Sequence, residues 1–152
     1  MTNNDCLRRI RYILDFDDSK MIAIFGLANL EVDRRQVSAW LKQDDNPDFE
    51  ECDDPSFASF LNGLIIALRG EKEGGPPPAE ARLNNNMIFM KLKIALNLKA
   101  DEILQILGSA DQLVSKHELS AFFRRPDHKH YRECKDQILR NFLNGLRINY
   151  RD

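Results

Sequence analysis

Hydrophobic positions recur along this chain at spacings of three and four, the helical period, and no convincing run of alternating residues interrupts them. The first periodic segment covers residues 4–15, where Leu7, Ile10, Ile13 and Leu14 form a stripe opposed by Arg8, Arg9 and Arg11. A second covers 19–28. It is introduced by Asp17-Asp18-Ser19 and turns Met21, Ile22, Phe25 and Ala28 inward. The third starts at Asp33-Arg34-Arg35-Gln36, which has the form of a capping box, and buries Val37, Trp40 and Leu41. The fourth opens at Asp54-Pro55, read as an N-cap followed by Pro at the first helical position. Its inner face is Phe57, Phe60, Leu61, Leu64 and Leu68. The pattern predicts an all-α protein.

The four-helix pattern then runs a second time. At an offset of 82 residues, positions 3–70 match 85–152 without a gap, at 20 identities in 68. Phe60-Leu61-Asn62-Gly63-Leu64 meets Phe142-Leu143-Asn144-Gly145-Leu146, and Asn3-Asn4 meets Asn85-Asn86. The second set of helices is expected over 86–97 (Phe89, Leu92, Leu96) and 101–109 (Ile103, Leu104, Leu107). The next two follow the capping box Ser115-Lys116-His117-Glu118 (Leu119, Phe122, Phe123) and a segment with Leu139, Phe142, Leu143 and Leu146 inward. Residues 71–83 contain Gly70's successor run Glu71 to Pro78 and read as a Gly/Pro linker between repeats 3–70 and 84–152. The expected architecture is two tandem four-helix repeats related by a pseudo-two-fold. Glycine inside a helix costs about 1 kcal/mol relative to Ala. Its recurrence at Gly63 and Gly145 suggests inter-repeat packing, with the two fourth helices crossing there. Gly26 and Gly108 lie near helix ends and read as caps or close crossings.

Charge divides along the same boundary. The 152 residues carry a formal net charge of only −2. Residues 3–70 hold 8 Lys+Arg against 13 Asp+Glu, net −5, while 84–152 hold 12 against 8, net +4. The contrast is sharpest in two equivalent segments, 42–54 at net −6 and 124–136 at net +2. Arg124, Arg125, His128, Lys129, His130, Arg132 and Lys135 make a candidate binding surface, continued by Arg140. Asp44, Asp45, Asp48, Glu50 and Asp53 make a candidate acidic partner surface. Equivalent surfaces of opposite sign can attract between molecules, so a homodimer is one expectation. A basic edge is also the footprint of phosphate binding, so nucleic acid is the other. The connection of six residues between the second and third helices is longer than a helix-turn-helix normally uses.

Specific chemistry finds little support. Asp44, Asn46 and Asp48 fall at positions 1, 3 and 5 of a calcium loop, but Phe49 stands where Gly is needed and Pro55 where Glu is needed. His128, His130, Cys134 and His117 are metal ligands by type without a zinc-like spacing, so no metal is expected. Cys6, Cys52 and Cys134 read as free, buried thiols. A Cys52–Cys134 disulfide or a reactive thiol beside a histidine is the alternative. Gly74-Gly75 is not followed by a phosphate-loop Lys, and no cofactor is expected. The N-terminus lacks a signal-peptide core. The longest nearly apolar stretch, Met21 to Leu30, falls short of a membrane span. A cytoplasmic protein without a membrane association is the expectation.

Several of these motifs occur together in a known family. Phe60 to Leu64, Asn84-Asn85-Asn86, Lys91-Leu92 and Pro126-Asp127-His128-Lys129 are four of them. Arg132-Glu133-Cys134 with Asp136-Gln137, and Phe142 to Leu146, complete the set. The chain resembles the YehS-like family, small bacterial proteins of unknown function built from a duplicated helical domain. The resemblance implies a bacterial cytoplasmic protein and transfers no catalytic residue. The reading that follows is a non-enzymatic binding or interaction module, pairing with another protein or with itself. The alternative is a nucleic-acid-binding protein using the basic edge of the second repeat.

Overall fold

The computed structural model describes residues 1–151. Among them are eight α-helices and no strand: α1 Asn3–Leu14, α2 Asp18–Leu27, α3 Arg34–Leu41 and α4 Asp54–Arg69, then α5 Asn85–Ala95, α6 Ala100–Ser109, α7 Lys116–Phe122 and α8 Asp136–Tyr150. The chain forms two compact units, Met1–Leu83 and Asn84–Asp152, each with one four-helix repeat. In each unit the second and third helices pack together, and the second also packs on the fourth.

The helix ends are written locally. Thr2 accepts from the Asp5 amide and Asp5 returns a bond to the Thr2 amide, a complete capping box for α1. Ser115 and Glu118 do the same for α7. At α3 the box is only half made. Asp33 accepts from the Gln36 amide, but the Gln36 side chain turns away to Glu50. The α4 cap is Asp53, which accepts from the Ser56 amide, one residue earlier than the sequence predicts. Asp54 is thereby released for another task, described below. The first two helices of each repeat stop at a left-handed residue: Asp15 and Asn29 in one, Asn97 and Asp111 in the other. Asn and Asp tolerate this conformation best after Gly. The next amide in each case, on Phe16, Leu30, Leu98 or Gln112, reaches back five residues to close the helix.

The cores follow the predicted stripes with instructive exceptions. Phe25 packs against Trp40 and Phe60 at centroid distances of 5.3 and 5.2 Å. Phe89 stands between Phe122, Phe123 and Phe142 at 6.2, 5.0 and 4.5 Å. In α2 the buried residue is Ile24 rather than Ile22, and in α6 Ile106 rather than Leu104. Ala28 is half-buried at the cap of α2. Leu14, Leu41, Leu96 and Phe123, read as core, are half-buried. Leu68 is 44% exposed. The reason is length: α4 has 16 residues and α2 only 10, so the last turn of α4 outruns the surface it packs on.

The glycines also need correction. A Cβ on Gly63 would lie 1.9 Å from the carbonyl oxygen of Ile24, and one on Gly145 2.1 Å from that of Ile106. The close approach that demands glycine is therefore between the second and fourth helices of one repeat. The glycines thus answer first to a neighbour inside their own repeat. Gly26 and Gly108 meet nothing within 4 Å and have ordinary negative φ, so neither is a cap nor a crossing.

These environments predict opposite outcomes for the same substitution. Gly63→Ala or Gly145→Ala should lower stability by about 1–3 kcal/mol or more, because backbone must move to admit the methyl group. Gly26→Ala or Gly108→Ala should raise it by roughly 0.5–1 kcal/mol. Thermal or denaturant unfolding of the four variants checks both signs.

Candidate functional site

The candidate surfaces lie on the loops joining the third and fourth helices, α3–α4 (42–53) and α7–α8 (123–135). Neither loop is long enough to fold alone, and both are held from below by a buried side-chain amide. Asn4, 1% exposed, donates from Nδ2 to the carbonyls of Trp40 and Glu50, both at 2.9 Å. Its Oδ1 accepts from the Cys52 amide at 3.0 Å. Asn86 repeats this with Phe122 (3.1 Å), Arg132 (2.7 Å) and Cys134 (2.9 Å). The preceding asparagines finish the job. Asn3 donates to the Cys52 carbonyl and to Asp54 Oδ1, and Asn85 to the Cys134 carbonyl and to Asp136 Oδ1. Asp54 Oδ2 also accepts from the Leu83 amide at 3.0 Å.

Sequence periodicity passed over this clamp because it scores asparagine as surface. A signal was present: Asn4 lies three residues before Leu7 on the apolar stripe, and the Asn-Asn pair is identical in both repeats.

Above the clamp the two loops trace the same hydrogen-bonded turn. Asn46 N donates to Gln43 O, Phe49 N to Asn46 O, and Glu50 N to Ala39 O. In the second loop His128 N donates to Arg125 O, Tyr131 N to His128 O, and Arg132 N to Ala121 O. The tip is tied by a side chain in each case. Asn46 Oδ1 accepts from the Asp48 amide at 2.8 Å, and His128 Nδ1 accepts from the His130 amide at 3.0 Å.

On this common frame the charges differ. All seven basic-edge residues and all five acidic-loop residues named from the sequence are exposed. Some are already paired. Glu50 meets Arg35 at 3.1 Å and accepts from Gln36 at 2.8 Å. In the second repeat the polarity is reversed, with Arg132 on the loop and Glu118 on the helix, 3.5 Å apart. Arg125 lies 3.6 Å from Asp127, and Lys135 lies 3.4 Å from Glu133. Exposed pairs of this kind contribute little to stability. Among the described residues Arg124 and Lys129 have no acidic partner, and Asp44, Asp45 and Asp48 have no basic one. Asp53 serves as a cap, and hydrogen bonding from Ser56 holds its carboxyl below the usual range. Lys135 occupies the equivalent position at α8 and makes no side-chain cap bond. Lys99 similarly replaces Asp17 at the start of α6.

The three histidines gather on this edge. His130 lies 5.5 Å from His128 and 6.1 Å from His117, centroid to centroid. Cys134 is not among them. It is 1% exposed, and burial, followed by the nearby Asp136, pushes its thiol up to about 12. Cys52 is pushed up to about 12 by burial and by Asp53 and Asp54. All three cysteines are free and buried, and a thiol so shifted is no nucleophile near neutrality.

Two expectations follow. Asn86→Ala strands two carbonyls and an amide and should lower stability by about 3 kcal/mol, as should Asn4→Ala, measured by denaturant unfolding. Asp53, Glu118 and Asp136 have lowered folded-state pKa values, caused first by bonds to Ser56, the Ser115 backbone and Asn85 respectively. Their contribution is therefore complete above the ordinary carboxylate range, about pH 4, and is lost as pH falls through the lower folded values. Melting temperature measured from neutral to acid pH should drop in that window, and less so in Asp136→Asn.

No solved structure matches the chain. Among the described residues no helix is long and apolar enough to cross a membrane. The Uncharacterized protein YehS of Escherichia coli (strain K12) is 46% identical over 147 residues, 96% of this chain and 94% of that protein. The family model described as Protein of unknown function (DUF1456) matches twice, at residues 3–70 and 85–152, once on each four-helix repeat. With its two repeats and their shared loop clamp, the chain belongs to this DUF1456, YehS-like family.

Proposed function

We propose that the protein is a non-enzymatic binding module that engages an acidic protein surface through the α7–α8 edge. The equivalent α3–α4 loop of a second copy is the acidic surface most directly suited to it. One observation carries the reading: two loops with the same hydrogen-bonded frame present unpaired charges of opposite sign. Arg124 and Lys129 stand on one, Asp44, Asp45 and Asp48 on the other. Lys135 adds support. It places a positive charge at a helix N-terminus, where the dipole and the orphan amides favour an acid. The raised thiols of Cys52 and Cys134 favour binding over covalent chemistry.

The second reading, nucleic acid, draws on the same unpaired bases. Against a single-stranded ligand, Phe122 is buried and Phe123 is half-buried beneath Lys93, whose ammonium lies 5.5 Å from the ring centroid. Neither ring is free to stack on a base.

Sedimentation velocity at low and high salt separates the readings. Self-association at low salt should be weakened by Arg124→Glu with Lys129→Glu, weakened by Asp44→Lys with Asp45→Lys, and regained when all four are combined. A monomer under every condition overturns self-pairing. Steeply salt-dependent binding of duplex DNA or RNA, lost in the Arg124/Lys129 variant, would transfer the edge to nucleic acid. Lys135→Asp should raise stability by about 1 kcal/mol while weakening whichever ligand binds.

A further inference from the structure

The turn at the tip of the basic edge is built around an imidazole where its twin uses an amide. Asn46 and His128 are equivalent across the repeats, and each accepts a hydrogen bond from the amide two residues on. The two acceptors differ in one respect. An asparagine oxygen keeps its lone pairs at every pH. A histidine Nδ1 has a lone pair only while the ring is neutral and its proton sits on Nε2, because both nitrogens of the imidazolium are donors.

We propose that His128 is a proton-operated latch on the α7–α8 edge. In the neutral ring, Nδ1 holds the His130 amide and closes the turn that carries Lys129. In the protonated ring, Nδ1–H faces the His130 N–H, donor against donor, and the turn opens. The α3–α4 loop, with Asn46 in this place, has no such response. The proton comes from solvent, since His128 is exposed.

Groups of both charges surround the turn. On the loop, His128 is flanked by Arg125, Asp127, Lys129 and His130. The Asp127 carboxylate is engaged with Arg125 at 3.6 Å. From α7, His117 approaches His130 to 6.1 Å, and Glu118 is committed to Arg132 at 3.5 Å. Lys116 is turned toward Asp101 of α6 at 3.4 Å. Three imidazoles and several cations thus share the edge with acids that are already occupied.

The latch regulates the edge assigned under the proposed function, and so rests on that reading for its purpose. Its operation is read at the His130 amide and needs no ligand, so the binding reading and the latch can fail separately. The measurement is NMR on the full chain. Imidazole nitrogen shifts should show His128 as the Nε2–H tautomer at neutral pH. As His128 protonates, protection of the His130 amide, corrected for intrinsic exchange, should fall about fivefold, the equilibrium factor of one ordinary hydrogen bond. The Asp48 amide should not change over that interval.

His128→Asn should keep the His130 amide protected and abolish the response, while Asn46→His should install it at the Asp48 amide. His117→Gln, which alters charge without touching the latch, should leave the response in place. An Nδ1–H tautomer at neutral pH, a pH-invariant His130 amide, or a response that survives His128→Asn each overturns the proposal.

Discussion

Two carbonyls and one amide converge on the side chain of Asn4, and three equivalent groups converge on Asn86. These groups come from the end of the third helix and from the loop that follows it. Backbone that enters the interior without helix or sheet partners must find others, or it forfeits the solvation it left behind. A primary amide answers with two donors and an acceptor in one plane. No apolar side chain could do this, and a carboxylate would set its oxygens against the two carbonyls. The approach of the fourth helix to the first depends on it too. Asn3 and Asn85 extend the clamp to the carbonyls of Cys52 and Cys134 and to Asp54 and Asp136 at the start of α4 and α8.

A loop fixed from beneath by backbone bonds leaves its outward side chains free to change. This is how one frame comes to carry net −6 in one repeat and net +2 in the other. One loop-to-helix contact is kept in both repeats with its charges exchanged. Glu50 with Arg35 and Gln36 in one repeat corresponds to Arg132 with Glu118 in the other, a bridge from loop to helix with its polarity reversed. The residues left over, Arg124 and Lys129 against Asp44, Asp45 and Asp48, are those that no internal contact explains.

The second constraint is the crossing of α2 on α4 and of α6 on α8. At Gly63 and Gly145 the helices approach until a carbonyl oxygen occupies the space of a methyl group. That approach buries Ile24 and Ile106, places the apolar face of the second helix against the fourth, and sets where the fourth helix begins relative to the clamp. Clamp and crossing act at different points along α4. Asn3 fixes its first turn through Asp54, and Gly63 fixes its middle. Direction and register are then both determined.

The sequence by itself determined a good deal: helix content, duplication, most of the core stripes, the capping boxes at Ser115 and, in half, at Asp33, and the contrast of charge. These are properties of spacing and composition along one strand of chain, and local physics reads them. It could not choose between Ile22 and Ile24. Residues 21–25 are apolar all round the helix, so only the neighbour decides which side is inside. It could not name Ile24 as the neighbour of Gly63 for the same reason, since a missing Cβ announces a close approach but not the approaching partner. It missed Asn4 and Asn86 altogether, because a polar residue is buried only when distant backbone supplies its bonds, and residues 36 to 48 positions away do so here. It likewise could not show that His128 does the work of Asn46. Tertiary structure decided these points, because each depends on groups far apart in sequence or on the path of a loop whose shape is imposed from below.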